Sequence, residues 1–340
     1  MTVCPKTPAA PGKVPSLSEI FFPVSRRLSR VDRTLRSWPG PSSPVIRRMA
    51  AGAVSRQGKL IRPGILLLIT GHLGYRGDQD VLLAAAVEGI HLASLIHDDI
   101  IDRSAYRRGE QTALRRFGPD FSLLLGDFFF IRSIARSLEF KKREIPGLLG
   151  ETARLMIEGE TEELAESFNF EISLARYLKI IGKKTASLFR TTCQLACLLG
   201  KAAPKETALL EEYGFNLGLT FQVIDDLLDL VGQPSLTGKP AFSDLREGRI
   251  TLPLIYAFRN AGQAGGRLMK TELEKIRLKK TERIRTELIR HIEKTGAVQM
   301  TFRQAEVLAG KARLAVSRLR PSVYRQSLLQ LIDFVLWRKR

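Results

Sequence analysis

His91 to Thr112 reads HLASLIHDDIIDRSAYRRGEQT, and the fold follows from this segment taken with the stretch before it. Val81 to Ile96 is almost uninterruptedly apolar, which predicts a buried helix rather than a surface one. At about 100° per residue, Asp98 and Asp102 then lie about 40° apart on one helix face, with Asp99 on the flank. Three carboxylates crowd one turn of an element whose other turns are in a core. Like charges so placed repel, and something cationic must compensate them. Oxygen ligands without Cys or paired His select a hard cation, Mg²⁺ first, which keeps several waters and bridges carboxylates to phosphates.

Phe221 to Leu230, FQVIDDLLDL, repeats the D-D-x-x-D spacing with Asp225, Asp226 and Asp229 on another apolar helix. A single triplet is also what an ion-paired surface turn presents. Two triplets with apolar flanks predict acidic helices facing each other across an electronegative cavity that holds several divalent ions and, through them, a diphosphate. Basic residues occur where such a site needs them. Gln57 to Pro63, QGKLIRP, places Lys59 and Arg62 three apart, and Arg107 with Arg108 follow the first triplet by about one and a half turns. Both residue types supply charge-assisted bonds to phosphate oxygens.

Outward from these motifs, apolar residues recur at helical spacing from Leu17 onward, and alternating strand-like runs are absent, so the class is all-α. Breaks at Ser37–Pro44, Gly71–Asp80, Lys141–Gly147, Gly200–Lys205, Val231–Ser243 and Ala261–Gly266 separate helices, not domains. Residues 17–340 are expected to form a single helical domain with a central cavity. Residues 1–16, broken by prolines and lacking the apolar region of a secretory signal, read as a disordered extension. With 340 residues, 44% hydrophobic and 26% charged, the chain is neither disordered nor collagen-like. Lys and Arg number 54 against 35 Asp and Glu, a net charge of +19 that implies a polyanionic partner: a phosphorylated small molecule, nucleic acid or anionic lipid. Three cysteines, Cys4, Cys193 and Cys197, are too few for a disulfide framework and fit a reducing cytoplasm. The longest uninterrupted apolar runs fall short of the roughly 18 residues of a membrane span. From Arg267 on, Lys and Arg dominate beside a helical apolar stripe, which reads as outer helices with a solvated basic face.

Taken together, these motifs resemble the trans-type isoprenyl diphosphate synthase (polyprenyl synthetase) family, from about Leu17 to the terminal LIDFVLWRKR. DDIID and DDLLD match its two aspartate-rich motifs, which implies Mg²⁺ binding by Asp98, Asp99, Asp102, Asp225, Asp226 and Asp229. QGKLIRP resembles the family's G-G-K-x-x-R-P, which implies isopentenyl diphosphate binding by Lys59 and Arg62, with His91 matching a family histidine. In RRGEQT, Arg107 matches the arginine on the allylic diphosphate and Arg108 the one on isopentenyl diphosphate. Lys184 and Thr185 in KKTASLF, Gln222 in FQVIDD and Lys239 in TGKPAFSDLREGRITLP match further substrate-contacting positions; Lys184, Thr185 and Lys239 are expected to stabilise the leaving group. Gln57, Leu60 and Glu163 depart from the family pattern. The resemblance implies an isoprenoid-synthase helical bundle, a homodimer, and Mg-assisted condensation of isopentenyl diphosphate with an allylic diphosphate.

One turn below Asp98, Ala93 and Ser94 are small where bulky aromatics in the family imply C15 or C20 products, so a product of C30 or longer is expected. Gly89 and Ile90 continue the opening, with a floor from Phe128, Phe129 or Phe130. A short-chain synthase, and a terpene cyclase or head-to-head synthase, share the aspartate-rich helices, although a cyclase has no second diphosphate for Lys59, Arg62, His91 and Arg108 to bind. A basic nucleic-acid-binding helical protein would share the charge, but no nucleic-acid-binding motif accompanies it. A cytoplasmic protein with peripheral contact to an anionic bilayer fits the charge and a greasy product.

Overall fold

Around the apolar run at Val81–Ile96 the chain builds its central helix, α5 (Gln79–Ile101), with Asp102 as its C-cap. A computed structural model describes residues 12–40, 43–55, 58–107, 109–231, 243–278 and 282–338. Helix accounts for 79% and strand for 1%, which settles the all-α class. By length and composition α5 could cross a membrane, a point that counting uninterrupted runs missed, yet 72% of its most apolar window is buried within the bundle. It is a core helix that other helices solvate.

Its neighbours are α2 (Ser25–Ser37), α4 (Ile61–His72) and above all α7 (Pro119–Ser137). The contact with α7 is close because both faces carry small residues. A Cβ on Gly89 would stand 2.3 Å from Ser133 Oγ and 2.4 Å from the Trp38 ring, and one on Gly126 would stand 2.2 Å from His97 Nε2. The second wall is α11 (Pro204–Val231), packed on α10 (Ser187–Gly200) and on a long helix at Ala297–Ser317. Between them, α8 (Glu144–Ala165) and α9 (Leu174–Ile181) lead into a π-helical turn, Gly182–Ala186, that continues as α10. A single π-turn of this kind is a common functional device in helices. Here it is keyed to α8, since a Cβ at Gly159 would lie 2.5 Å from the Lys184 backbone nitrogen.

Several breaks are narrower than the sequence implies. Helices already begin at Glu144 and at Gly262, inside the segments Lys141–Gly147 and Ala261–Gly266. Conversely, the chain after Asp102 leaves helix for a two-residue hairpin, Tyr106–Arg107 against Glu110–Gln111, turned with Gly109 at φ +80°. The segment Val231–Ser243 lies almost wholly outside the described residues.

Among the described residues, the outer face of α7 is exposed and apolar. Phe121, Leu124, Ile131 and Leu138 recur at three- and seven-residue steps and are 51–66% exposed. On the adjoining α8, Ile157 and Leu164 stand seven apart and are similarly exposed.

The α5–α7 seam gives a direct test. Gly89→Ala would gain up to about 1 kcal/mol of helix propensity, but the overpacking against fully buried Trp38 costs about 1–3 kcal/mol. Urea unfolding is therefore expected to show net destabilisation of roughly 1–2 kcal/mol.

Candidate active site

Both acidic triplets sit in the last turns of long core helices, α5 and α11, and open on one cavity of about 990 Å³. Asp98, Asp102, Asp225, Asp226 and Asp229 line it; Asp99, 7% exposed, does not. The hairpin folds Arg107 back so that its Nε donates to Asp99 Oδ1 at 2.8 Å, while Arg107 itself still lines the cavity. The Asp98 carbonyl accepts from the Asp102 backbone N–H, and desolvation pushes the Asp98 carboxyl above the usual range against the pull of Lys184 and Arg107. Asp102 is held on both oxygens by Arg249, at 3.0 and 3.1 Å.

In the second triplet, buried Asp226 accepts from Tyr177 Oη at 2.5 Å and from Gln222 Nε2 at 2.7 Å, and Gln222 Oε1 in turn accepts from Thr185 Oγ1 at 2.7 Å. Burial pushes the Asp226 carboxyl well up, opposed by those two donors. Asp225 accepts from Arg338, whose guanidinium stacks 3.8 Å over the Phe221 ring. Asp229 accepts from Ser243 and from the Asp244 backbone N–H. Among the described residues, no three acidic, His or Cys side chains stand close enough together to hold a metal ion as they lie.

The π-turn aims Lys184 and Thr185 into the cavity. Lys184 Nζ is 2.5 Å from both Glu160 and Glu163 of α8. Its burial disfavours the charge, but Glu163, Asp98 and Glu160 outweigh that and hold it above the normal lysine range. Glu160 itself, pushed up mainly by burial, sits at about 7. On the other side of the cavity the chain turns at Leu60, in a left-handed conformation with φ +47°. This turn leaves Lys59 at the rim, 5.3 Å from the Phe334 ring, and drives Arg62 inside, over the Phe189 ring at 4.4 Å. Burial lowers Arg62 to about 10, and Glu88, a buried acid that also lines the cavity, supports its charge. His91 and Ser94 complete this wall.

The cavity thus gathers Lys59, Arg62, His91, Arg107, Lys184, Thr185 and Gln222 with five of the six aspartates. Arg108 and Lys239, like Gln57, lie outside the described residues. Ser94 faces the cavity, whereas Ala93, 2% exposed, is off its lining. Gly89, packed on Trp38 and Ser133, belongs to the helix seam, and neither Ile90 nor Phe128–Phe130 lines the cavity. Its apolar end lies instead on Leu95, Leu123, Met156, Ile157 and Leu164, beside α8. Sequence reasoning assigned no role to Arg249, Glu160, Glu88 or Tyr177. Arg249 stands in a segment, DLREGRITLP, whose charge density hints at a site, but Tyr177 carries no such signal.

A helical bundle with a large cavity that sets acidic triplets beside buried cations and apolar side chains is the frame of an enzyme that handles apolar diphosphates. A family model, polyprenyl synthetase, matches residues 43–291. Octaprenyl diphosphate synthase of Escherichia coli is 32% identical over 296 residues, 87% of this chain and 91% of that protein. Among solved structures, a polyprenyl synthase from Caulobacter crescentus complexed with calcium and isoprenyl diphosphate superposes with a TM-score of 0.91 at 32% identity, over 97% of this chain and all of that one. A decaprenyl diphosphate synthase from Rhodobacter capsulatus gives 0.89 at 30% identity, over 96% and 100%. The chain belongs to the polyprenyl synthetase family.

Proposed function

We propose that this protein is a chain-elongating prenyltransferase that condenses isopentenyl diphosphate with an allylic diphosphate and releases an all-trans polyprenyl diphosphate of C30 or longer. The observation that carries this reading is a cavity that gathers carboxylates from two helix ends, cations from several elements and apolar side chains. Two diphosphates need two distinct cationic surroundings: Lys184 and Arg107 stand among Glu160, Glu163 and Asp99, whereas Arg62 lies over the Phe189 ring beside Glu88.

The residues fit magnesium. Every donor is a hard oxygen, the half-buried Asp98 carboxyl lines the cavity, and around Arg249 four carboxylates meet one guanidinium, a surplus of negative charge. Asp98, Asp102, Asp225, Asp226 and Asp229 would hold it, with Asp99 fixing Arg107. When bound, magnesium draws charge from the allylic diphosphate and makes it a tolerable leaving group. Lys184 and Thr185, preorganised by the π-turn, donate to the departing oxygens. Arg62, Lys59 and His91 hold isopentenyl diphosphate so that its double bond faces the allylic carbon, and proximity supplies much of the rate. The allylic C–O bond breaks to leave an allylic cation, the double bond of isopentenyl diphosphate attacks that cation to form the new C–C bond, and the proton lost from the adduct passes to the departing diphosphate.

The growing tail follows the apolar lining beside α8, because the α5–α7 seam is closed at Gly89 and Gly126. The protein pairs as a homodimer through the exposed stripe of α7 and α8: an apolar patch of this regularity is what a two-fold, self-complementary contact buries. It works in the cytoplasm against anionic bilayer, toward which its charge of +19 draws it.

Incubation with C15 primer, Mg²⁺ and labelled isopentenyl diphosphate should yield labelled products of C30 or longer on chromatography. Absence of incorporation would remove the reading in favour of a cyclase or a non-enzyme. Ile157→Trp should shorten the product while Ala93→Phe, which faces the packed seam, should cost about 1–3 kcal/mol of stability without shortening it. Ile131→Glu should convert a dimer to a monomer in sedimentation.

A further inference from the structure

Arg249 is the most crowded ion in the cavity. Its guanidinium bonds both oxygens of Asp102, at 3.0 and 3.1 Å, lies 3.4 Å from Asp244 and 3.8 Å from Glu163, and contacts Glu247. The Asp102 side chain is 7% exposed and the Arg249 side chain 14%, so little water competes for either. Two consequences follow. While Arg249 stays there, another cation at Asp102 must share each oxygen with the guanidinium and is repelled by its charge. And one positive charge among four carboxylates leaves an excess of negative charge that a single guanidinium cannot neutralise.

Resting on the reading of the cavity as a metal–diphosphate site, we propose that Arg249 is a placeholder counterion. It occupies Asp102 in place of a divalent cation, and gives it up only when the cation arrives together with a diphosphate that Arg249 can turn to. The electrostatics fix the direction. A metal ion alone must evict a buried guanidinium from a bidentate pair, which is costly because the evicted charge loses its strongest partner. A diphosphate alone must approach Asp98, Asp102 and Glu163, whose charges repel it. Supplied together, the two exchange partners with the pair: metal to Asp102, diphosphate to guanidinium. Neither charge is stranded, and Asp244 and Glu163 keep Arg249 beside the cavity. Arg249 is thus a positioning residue that couples the two halves of the ligand, a coupling that is reciprocal by linkage. Lys184, gripped by Glu160 and Glu163 in the same way, completes the self-neutralised state.

The test is direct binding of Mn²⁺ by paramagnetic resonance and calorimetry, with and without inorganic diphosphate, to the full chain, Arg249→Gln and Arg249→Lys. The unaltered protein should bind Mn²⁺ at least 10-fold more tightly when diphosphate is present. In Arg249→Gln, Mn²⁺ alone should bind about 10-fold more tightly than to the unaltered protein, and the gain from diphosphate should shrink to about 3-fold or less, an opposite-signed pair of effects that loss of structure does not produce. Should Arg249→Gln fail to fold, Arg249→Lys keeps the charge but offers one bond where two were made, and should still raise the affinity for Mn²⁺ alone about 3-fold. Mn²⁺ affinity unchanged or lowered in the folded variant overturns the placeholder role even if the unaltered enzyme elongates normally. No Mn²⁺ binding to the unaltered protein even with diphosphate, together with no incorporation of isopentenyl diphosphate, overturns the underlying reading instead.

Discussion

Everything in the cavity answers to the placing of carboxylates at the carboxyl ends of two buried helices. The last turn of a helix already carries partial negative charge from its unpaired carbonyls. Asp98, Asp99 and Asp102 at the end of α5, and Asp225, Asp226 and Asp229 at the end of α11, add formal charge at the worst position for it. Such an arrangement persists only if cations compensate. The chain supplies them from distant elements: Arg107 from a hairpin, Lys184 from a π-turn, Arg249 from beyond the second triplet, Arg338 from two residues before the chain end. Each pairs a carboxylate with a group suited to a phosphate, so the cavity's own charges mimic the pattern of a metal–diphosphate ligand.

What was legible in the sequence and what was not divides along a physical line. Periodicity and apolar flanks are local, so the helices α5 and α11, the acidic turns on them and the basic residues of QGKLIRP could be read directly. Pairings that close over long separations could not. Arg249 meets Asp102 across 147 residues and Tyr177 meets Asp226 across 49, and no spacing rule connects them. Ala93 and Ser94 show the same divide within one helix. Both lie about one turn from Asp98, but at about 100° per residue Ser94 falls about 40° from it and Ala93 about 140°. Ser94 therefore faces the cavity, and Ala93 shares the small-residue face of Gly89 that lets α7 approach.

The tail route follows from that closed seam. A long apolar chain must be kept from water as it grows, since each buried methylene contributes about 0.8 kcal/mol. With the seam shut at Gly89 and Gly126, the apolar lining beside α8 is Leu95, Leu123, Met156, Ile157 and Leu164, and three of these, Leu123, Ile157 and Leu164, are 48–63% exposed. Cavity-lining side chains on this wall thus stay open to solvent in a single chain. A lengthening product would meet solvent there unless something apolar covers the α7–α8 face. Pairing of two copies and growth of a long product are then not independent properties. In the proposed dimer both would depend on burying one stripe of side chains, and the contact between the two copies would also close the channel.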